Sequence, residues 1–148
     1  MLKGTLIHPE ILAALGAAGH GSKVLIADGN YPHATRLGPN AQLVFANFAP
    51  GVIDATTALQ LIASAVPIEK AQVMQPAKTG PYAMKDDPPI WEDFRRVFRR
   101  ADIDVELEPI DQEDFYAAGS DEMTCLTIAT GEQQIYANIL LTIGVVRN

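Results

Sequence analysis

The chain has 148 residues, 48% hydrophobic and only 20% charged, which is the length of one domain that buries a core without disulfides or a structural metal. Its 11 basic and 18 acidic residues give a net charge of −7, which argues against generic binding to nucleic acid or to an anionic membrane surface, since both want clustered Lys and Arg. One cysteine, Cys125, makes neither an internal disulfide nor a Cys-rich zinc site, and no apolar run approaches the ~18 residues of a membrane span.

In chain order, Met1–Gly4 leads into a helix signal without a secretory apolar region. His8-Pro9-Glu10 opens a helix, with Ile11, Leu12, Leu15 and Ala18 as its apolar stripe and Gly19 as its stop. Val24–Ala27 is a short continuous apolar run, the pattern of a strand buried on both faces. A loop follows from Asp28 through Gly38-Pro39-Asn40, and Leu43–Ala46 predicts a second strand. Asp54 caps a helix with Ala58, Leu59, Ile62 and Ala65 on its face, stopped at Pro67. Ala71–Met74 is a third strand. The segment Pro76–Pro89 holds four of the ten prolines plus Gly80, and reads as a long surface loop of the kind that often carries function.

Pro88-Pro89 begins a helix with Ile90, Trp91, Phe94, Val97 and Phe98 on one side and Arg95, Arg96, Arg99 and Arg100 on the other. Ile103, Val105 and Leu107 alternate with acidic residues, the period of a half-buried strand. Asp111 caps a short helix through Ala118. Met123–Ala129 and Ile135–Leu141 predict two strands joined by a turn at Thr130–Gln134. The expectation is a single α/β domain over residues 1–148: three layers, α/β/α, with a mostly parallel mixed sheet closed by a C-terminal antiparallel hairpin.

Several residues could carry chemistry. His20 stands between Gly19 and Gly21, on a turn where backbone approaches a ligand closely, and imidazole moves protons near neutral pH. A helix cap or a solvated side chain fits the same residue. Asp28 ends a buried strand, where open α/β sheets bind ligands, and a carboxylate there is expected to bind a sugar hydroxyl or to act catalytically as a base; it equally fits a turn-starting aspartate before Gly29. Tyr136 and Asn138 are two apart on the expected last strand, so they share a face. They suit a polyol, or a solvent-facing stripe.

The four arginines read as a solvated helix face, because nine of the 18 acidic residues follow between Asp102 and Glu122. His8 and His33 have no metal spacing, and Cys125 fits a core. The sequence holds no phosphate-binding glycine loop, no Gly-x-Ser-x-Gly and no His-Glu-x-x-His. The chemistry expected is therefore modest and free of cofactor and metal.

Taken together, His8-Pro9-Glu10, Gly19-His20-Gly21, Leu25–Asp28, Thr130-Gly131-Glu132 and Tyr136–Leu140 resemble the ribose pyranase and fucose mutarotase (RbsD/FucU) family. The segment Asp28–Pro32, the Phe115-Tyr116 pair and Asn138–Leu141 followed by Gly144-Val145 are similar to the fucose branch. The resemblance implies a cofactor-free isomerase that interconverts anomers or ring forms of a free monosaccharide, L-fucose before ribose or another aldose. The other expectation is a non-catalytic sugar-binding accessory protein.

The resemblance also implies a decameric ring, where the low charged share would find its hidden surface; a cytoplasmic location is expected separately, from the sequence's want of a secretory or membrane-spanning signal. Position by position, His20 matches the acid/base histidine, Asp28 the aspartate that contacts the sugar, and Tyr136 and Asn138 the pair around the anomeric centre. Tyr136 is expected as a second proton relay. Gln112 stands where relatives commonly carry Arg or His, and it binds a hydroxyl without supplying charge. The loop after Asp28 is about one residue longer than in the fucose enzymes.

Overall fold

The structure, a computed structural model, describes residues 1–147. Its first helix, α1 (Pro9–Ala17), starts as the sequence predicts: His8 is the N-cap, Pro9 opens the first turn, and His8 Nδ1 accepts from the Ile11 N–H at 3.5 Å. β1 (Lys23–Ala27) and β2 (Gln42–Phe45) follow. α2 (Ala55–Ala63) is capped by Asp54, whose carboxylate accepts from Thr57 N at 2.7 Å. β3 (Ile68–Met74) leads into the proline-rich loop, and α3 (Ile90–Arg100) begins directly after Pro88-Pro89. β4 (Leu107–Ile110), α4 (Gln112–Gly119), β5 (Thr124–Ala129) and β6 (Ile139–Ile143) complete the chain.

The six strands form one sheet in the order β2-β5-β1-β6-β3-β4. β1 and β2 run parallel to β5, β4 runs parallel to β3, and β6 is antiparallel to both β1 and β3. α1, α2 and α3 cover one face. There Val24, Ile26, Val73, Leu126, Ile128, Ile139 and Leu141 meet Leu15, Leu59, Ile62, Trp91, Phe94 and Phe98. α4 covers the other, where Phe115 packs against Leu25, Ala27, Met74 and Leu140. Alternate residues of β1 serve the two faces, so Val24–Ala27 is buried throughout, as its unbroken apolar run predicts. The three-layer α/β/α arrangement with a mixed sheet is therefore as expected.

Two expectations fail. The C-terminal hairpin does not form: β1 lies between β5 and β6, and residues 130–138 are not a tight turn. They cross over the end of β1, because that end offers partners a hairpin turn would not. Thr130 N and Oγ1 both donate to Ala27 O, at 3.0 and 2.7 Å, and Gly29 N donates to Glu132 O at 2.9 Å. The strand expected from Ile103 starts only at Leu107, since Ile103 N is held by Phe98 O at the end of α3. β4 is an edge strand, which is where Pro109 is tolerated. The four arginines form the solvated helix face expected, with Arg95, Arg96 and Arg99 paired to Asp87, Glu92 and Asp93.

Candidate active site

The carboxyl end of β1 is built around Asp28, which is only 2% exposed. Its Oδ1 accepts from Asn30 N at 2.9 Å. Its Oδ2 accepts from Ala137 N at 3.2 Å and from Asn138 Nδ2 at 3.1 Å. Asn138 Oδ1 in turn accepts from Asp28 N at 2.8 Å. Burial raises the Asp28 carboxyl above its usual 3.8, while the N–H groups of Asn30, Ala137 and Tyr31 and the Asn138 amide pull it back. The aspartate thus ties the 130–138 crossing to β1, and its lone pairs are largely committed before any ligand arrives.

Glu132 anchors the same crossing from its other side. It is buried, and its Oε1 accepts from Gln133 N and Gln134 N at 2.9 and 3.0 Å. Its Oε2 faces the Ala55 N–H at the start of α2, at 3.4 Å. Gly131 fits beneath because it has no side chain: a Cβ there would fall on Ala49 O and within 2.9 Å of Val52 N.

A cavity of about 400 Å³ opens beside Asp28. The β1 end contributes Asp28, Asn30 and Tyr31, α4 contributes Gln112 and Tyr116, and the crossing contributes Ile135, Tyr136 and Asn138. The proline-rich loop closes it with Ala77, Thr79, Pro81 and Tyr82. Tyr136 and Asn138 precede β6 rather than lying on it, and Tyr136 has a left-handed φ of 60°. Strand alternation therefore does not explain their shared direction. The hold of Asp28 on Asn138, and of the loop on Tyr136, does.

The tyrosines differ in what their hydroxyls can still do. Tyr136 Oη accepts from Ala77 N at 3.1 Å and donates to Tyr82 O at 2.9 Å, so its proton is in use. Tyr116 Oη accepts from Gln112 Nε2 at 3.1 Å, which leaves its own proton free to donate. Its ring lies 5.5 Å from that of Tyr31, and the Arg36 guanidinium sits 5.0 Å from its centroid. Tyr31 is pushed up to about 12, chiefly by burial, so it stays a neutral phenol. His33 Nε2–H donates to Asp28 O at 3.1 Å, and burial lowers its pKa below 6.5.

His20 is elsewhere. It lies before β1 and Asp28 after it, and the five residues of β1 alone span roughly 16 Å at ~3.3 Å per residue. Gly21, at φ 83°, makes the tight turn that the sequence predicts. Gly21 N donates to Ile143 O, and Ile143 N donates to Ser22 O, so the turn is clipped to β6. This sets the imidazole against Glu69 at the start of β3: Nε2 is 2.9 and 3.0 Å from the two carboxylate oxygens. A carboxylate only accepts, so Nε2 carries the hydrogen and Nδ1 is left free. The pair is open to water, with side chains 59% and 45% exposed.

Of the residues singled out from sequence, Asp28, Gln112, Tyr136 and Asn138 converge on the cavity, and His20 does not. Glu69, Tyr116 and Tyr82 were missed. Only the Phe115-Tyr116 pair had a signal in the sequence. Among the described residues no lysine or arginine lines the cavity, and no three His, Cys, Asp or Glu side chains gather to hold a metal. No helix among them is long and apolar enough to cross a membrane. Amide and phenol groups with aliphatic walls suit a neutral polyol.

Comparison with known proteins agrees with this fold. The model of the RbsD / FucU transport protein family matches residues 1–146. The fucose mutarotase of Homo sapiens is 28% identical over 148 residues, covering 97% of this chain and 94% of the relative. That of Mus musculus is 27% identical over 152 residues, with the same coverage. The crystal structure of the fucose mutarotase from Streptococcus pneumoniae in complex with L-fucose is 28% identical, with a TM-score of 0.80 over 99% of this chain and 100% of that one. Bacillus subtilis RbsD complexed with D-ribose, at 20% identity and a TM-score of 0.75 over 99% and 100% of the two chains, shares the fold.

Proposed function

Since the chain belongs to the RbsD / FucU transport protein family, we propose that it is an isomerase that interconverts the α and β anomers of a free monosaccharide, L-fucose foremost. The observation that carries this is the phenol- and amide-lined cavity at the carboxyl end of β1, with Asp28 as its one acidic side chain and no lysine or arginine among the described lining residues. A hemiacetal opens when its anomeric hydroxyl loses a proton and its ring oxygen gains one. The aldehyde then closes again on its other face. Positioned acid/base groups contribute about 10²–10⁴-fold to such a step.

Asn138 and Gln112 bind hydroxyls, and Asp28 holds Asn138 in place. We assign one proton to His20, whose side chain is exposed and whose Nδ1 has no partner among the described residues, while Glu69 fixes its tautomer. The second, expected on Tyr136, fits Tyr116 better, because the Tyr136 proton is given to Tyr82 O.

His20 cannot reach the cavity of its own chain across the length of β1. The proposal therefore includes a second copy of this chain in a ring-shaped homo-oligomer, a decamer, with His20 of one copy facing the Asp28 cavity of the next. The site expected is cytoplasmic and needs no cofactor. A non-catalytic sugar-binding role is the second reading, favoured by one observation: a lone copy holds the cavity without the imidazole.

Magnetisation-exchange NMR on L-fucose, D-ribose and other free aldoses separates these readings. The expected result is anomer exchange faster than in buffer, greatest on L-fucose. Sugar binding with exchange at the buffer rate would leave the binding role, and a faster rate on another aldose would change the substrate.

A further inference from the structure

The loop between β3 and α3 brings an exposed tyrosine to the cavity. Tyr82 is 68% exposed, yet it lines the cavity beside Thr79 and Pro81. An exposed phenol on a surface loop is ordinarily free to wander. Here the backbone that carries the ring is held in place, because a single hydroxyl fastens it. Tyr136 Oη donates to Tyr82 O and accepts from Ala77 N, at 2.9 and 3.1 Å. Between those points the loop closes on itself: Met84 N donates to Ala77 O at 3.0 Å and Ala83 N to Gly80 O at 3.2 Å, with Gly80 at φ 91°.

We propose that Tyr82 is the stacking platform for the sugar's C–H face, and that Tyr136 is the positioning residue that holds the platform over the cavity. Both statements rest on the sugar-site reading given above. Sugars carry apolar C–H faces between their hydroxyls, and a ring that is wet in the free protein gains by being covered with one. The polar contacts come from Asn138, Gln112 and Tyr116, which line the same cavity from other elements. A backbone already fixed leaves only the side-chain torsions of Tyr82 to be ordered on binding. The Tyr136 hydroxyl, with its proton and one lone pair engaged, acts through Tyr82 rather than by proton transfer.

The test compares wild type with Tyr82→Ala, Tyr82→Phe, Tyr136→Phe and the Tyr82→Ala/Tyr136→Phe double variant. L-Fucose is the probe, with KM and kcat read from NMR anomer exchange and Kd from titration of the same samples. Tyr82→Ala is expected to raise KM and Kd about tenfold while kcat moves less than twofold, the scale of one aromatic contact. Tyr82→Phe, which keeps the ring, recovers most of the affinity. Tyr136→Phe raises KM in the wild-type background and adds little to Tyr82→Ala, the non-additivity of residues acting as a unit.

Wild-type KM and Kd in Tyr82→Ala would overturn the platform and leave the mutarotase reading standing. Additive losses with a lower kcat in Tyr136→Phe would overturn its positioning role. Binding without catalysed exchange in wild type sinks the mutarotase reading alone, and the Kd values then still decide the platform. No sugar binding in wild type overturns both.

Discussion

The two ends of β1 carry opposite kinds of chemistry. At the carboxyl end, Asp28 is buried and its oxygens accept three N–H groups. At the amino end, His20 and Glu69 form an ion-pair-capable dyad open to water, with one ring nitrogen unengaged. In the proposed site the first end is the receptor, with its polar groups set before ligand arrives, and the second is the proton carrier. On that proposal binding and proton transfer are separated by the length of a strand within one chain, and two copies reunite them.

The sharpest break in this comparison comes from removing the proton carrier. His20→Ala is expected to lower anomer exchange by about 10²-fold or more, toward the buffer rate, with the thermal unfolding midpoint unmoved because the side chain is exposed. A variant with wild-type exchange would take His20 out of the chemistry. The carboxyl end responds in the reverse sense. Asp28→Asn turns an acceptor of three N–H groups into a group that meets them with an N–H of its own. Loss of about 1.5–3 kcal/mol of stability is expected by urea denaturation, together with loss of sugar binding. Unchanged stability would show that Asp28 does not hold the crossing.

Gly131→Ala probes the same end without touching a polar group. Its Cβ would strike the Ala49 and Val52 backbone, which has little room to retreat. About 1–3 kcal/mol of destabilisation follows from overpacking, and a neutral result would mean that the 130–138 crossing is not fixed against residues 49–52. The smallest effect is that of pH on His33. Its folded pKa lies below 6.5, chiefly through burial, while Asp28 opposes the shift. Above pH 6.5 its contribution to stability is full. As pH falls below 6.5 the unfolded chain takes the proton first, so that contribution is lost until the folded ring also titrates. His33→Phe is expected to flatten this part of the stability curve, and an unchanged slope would assign it to other groups.

Much of this was legible in the sequence because it is locally encoded. The apolar run Val24–Ala27, the Asp54 cap, and the apolar and arginine faces of α3 each follow from a few neighbouring residues, and all three stand in the structure. What was not legible is settled between distant segments. The sequence cannot show that β1 enters between β5 and β6, because that depends on what Asp28 and Ala27 offer a chain passing 110 residues later. A local hairpin looked sufficient without it. Separation in the chain likewise hid Glu69, 49 residues from His20, which it meets only because β3 and β6 pair. Tyr82 carried no pattern of its own; its place is given by a hydroxyl 54 residues away.

The account stands or falls on the reunion of the two ends across copies. Two inactive variants, His20→Ala and Asn138→Ala, are mixed under conditions that exchange subunits, and L-fucose anomer exchange is measured by NMR across mixing ratios. If each site takes His20 from one copy and Asn138 from another, about a quarter of the sites in an equal mixture carry both native residues, by the symmetry of subunit interfaces. Activity should then reappear at about that fraction of wild type. Exchange that stays at the buffer rate at every ratio, although size-exclusion chromatography shows mixed oligomers, would contradict the account.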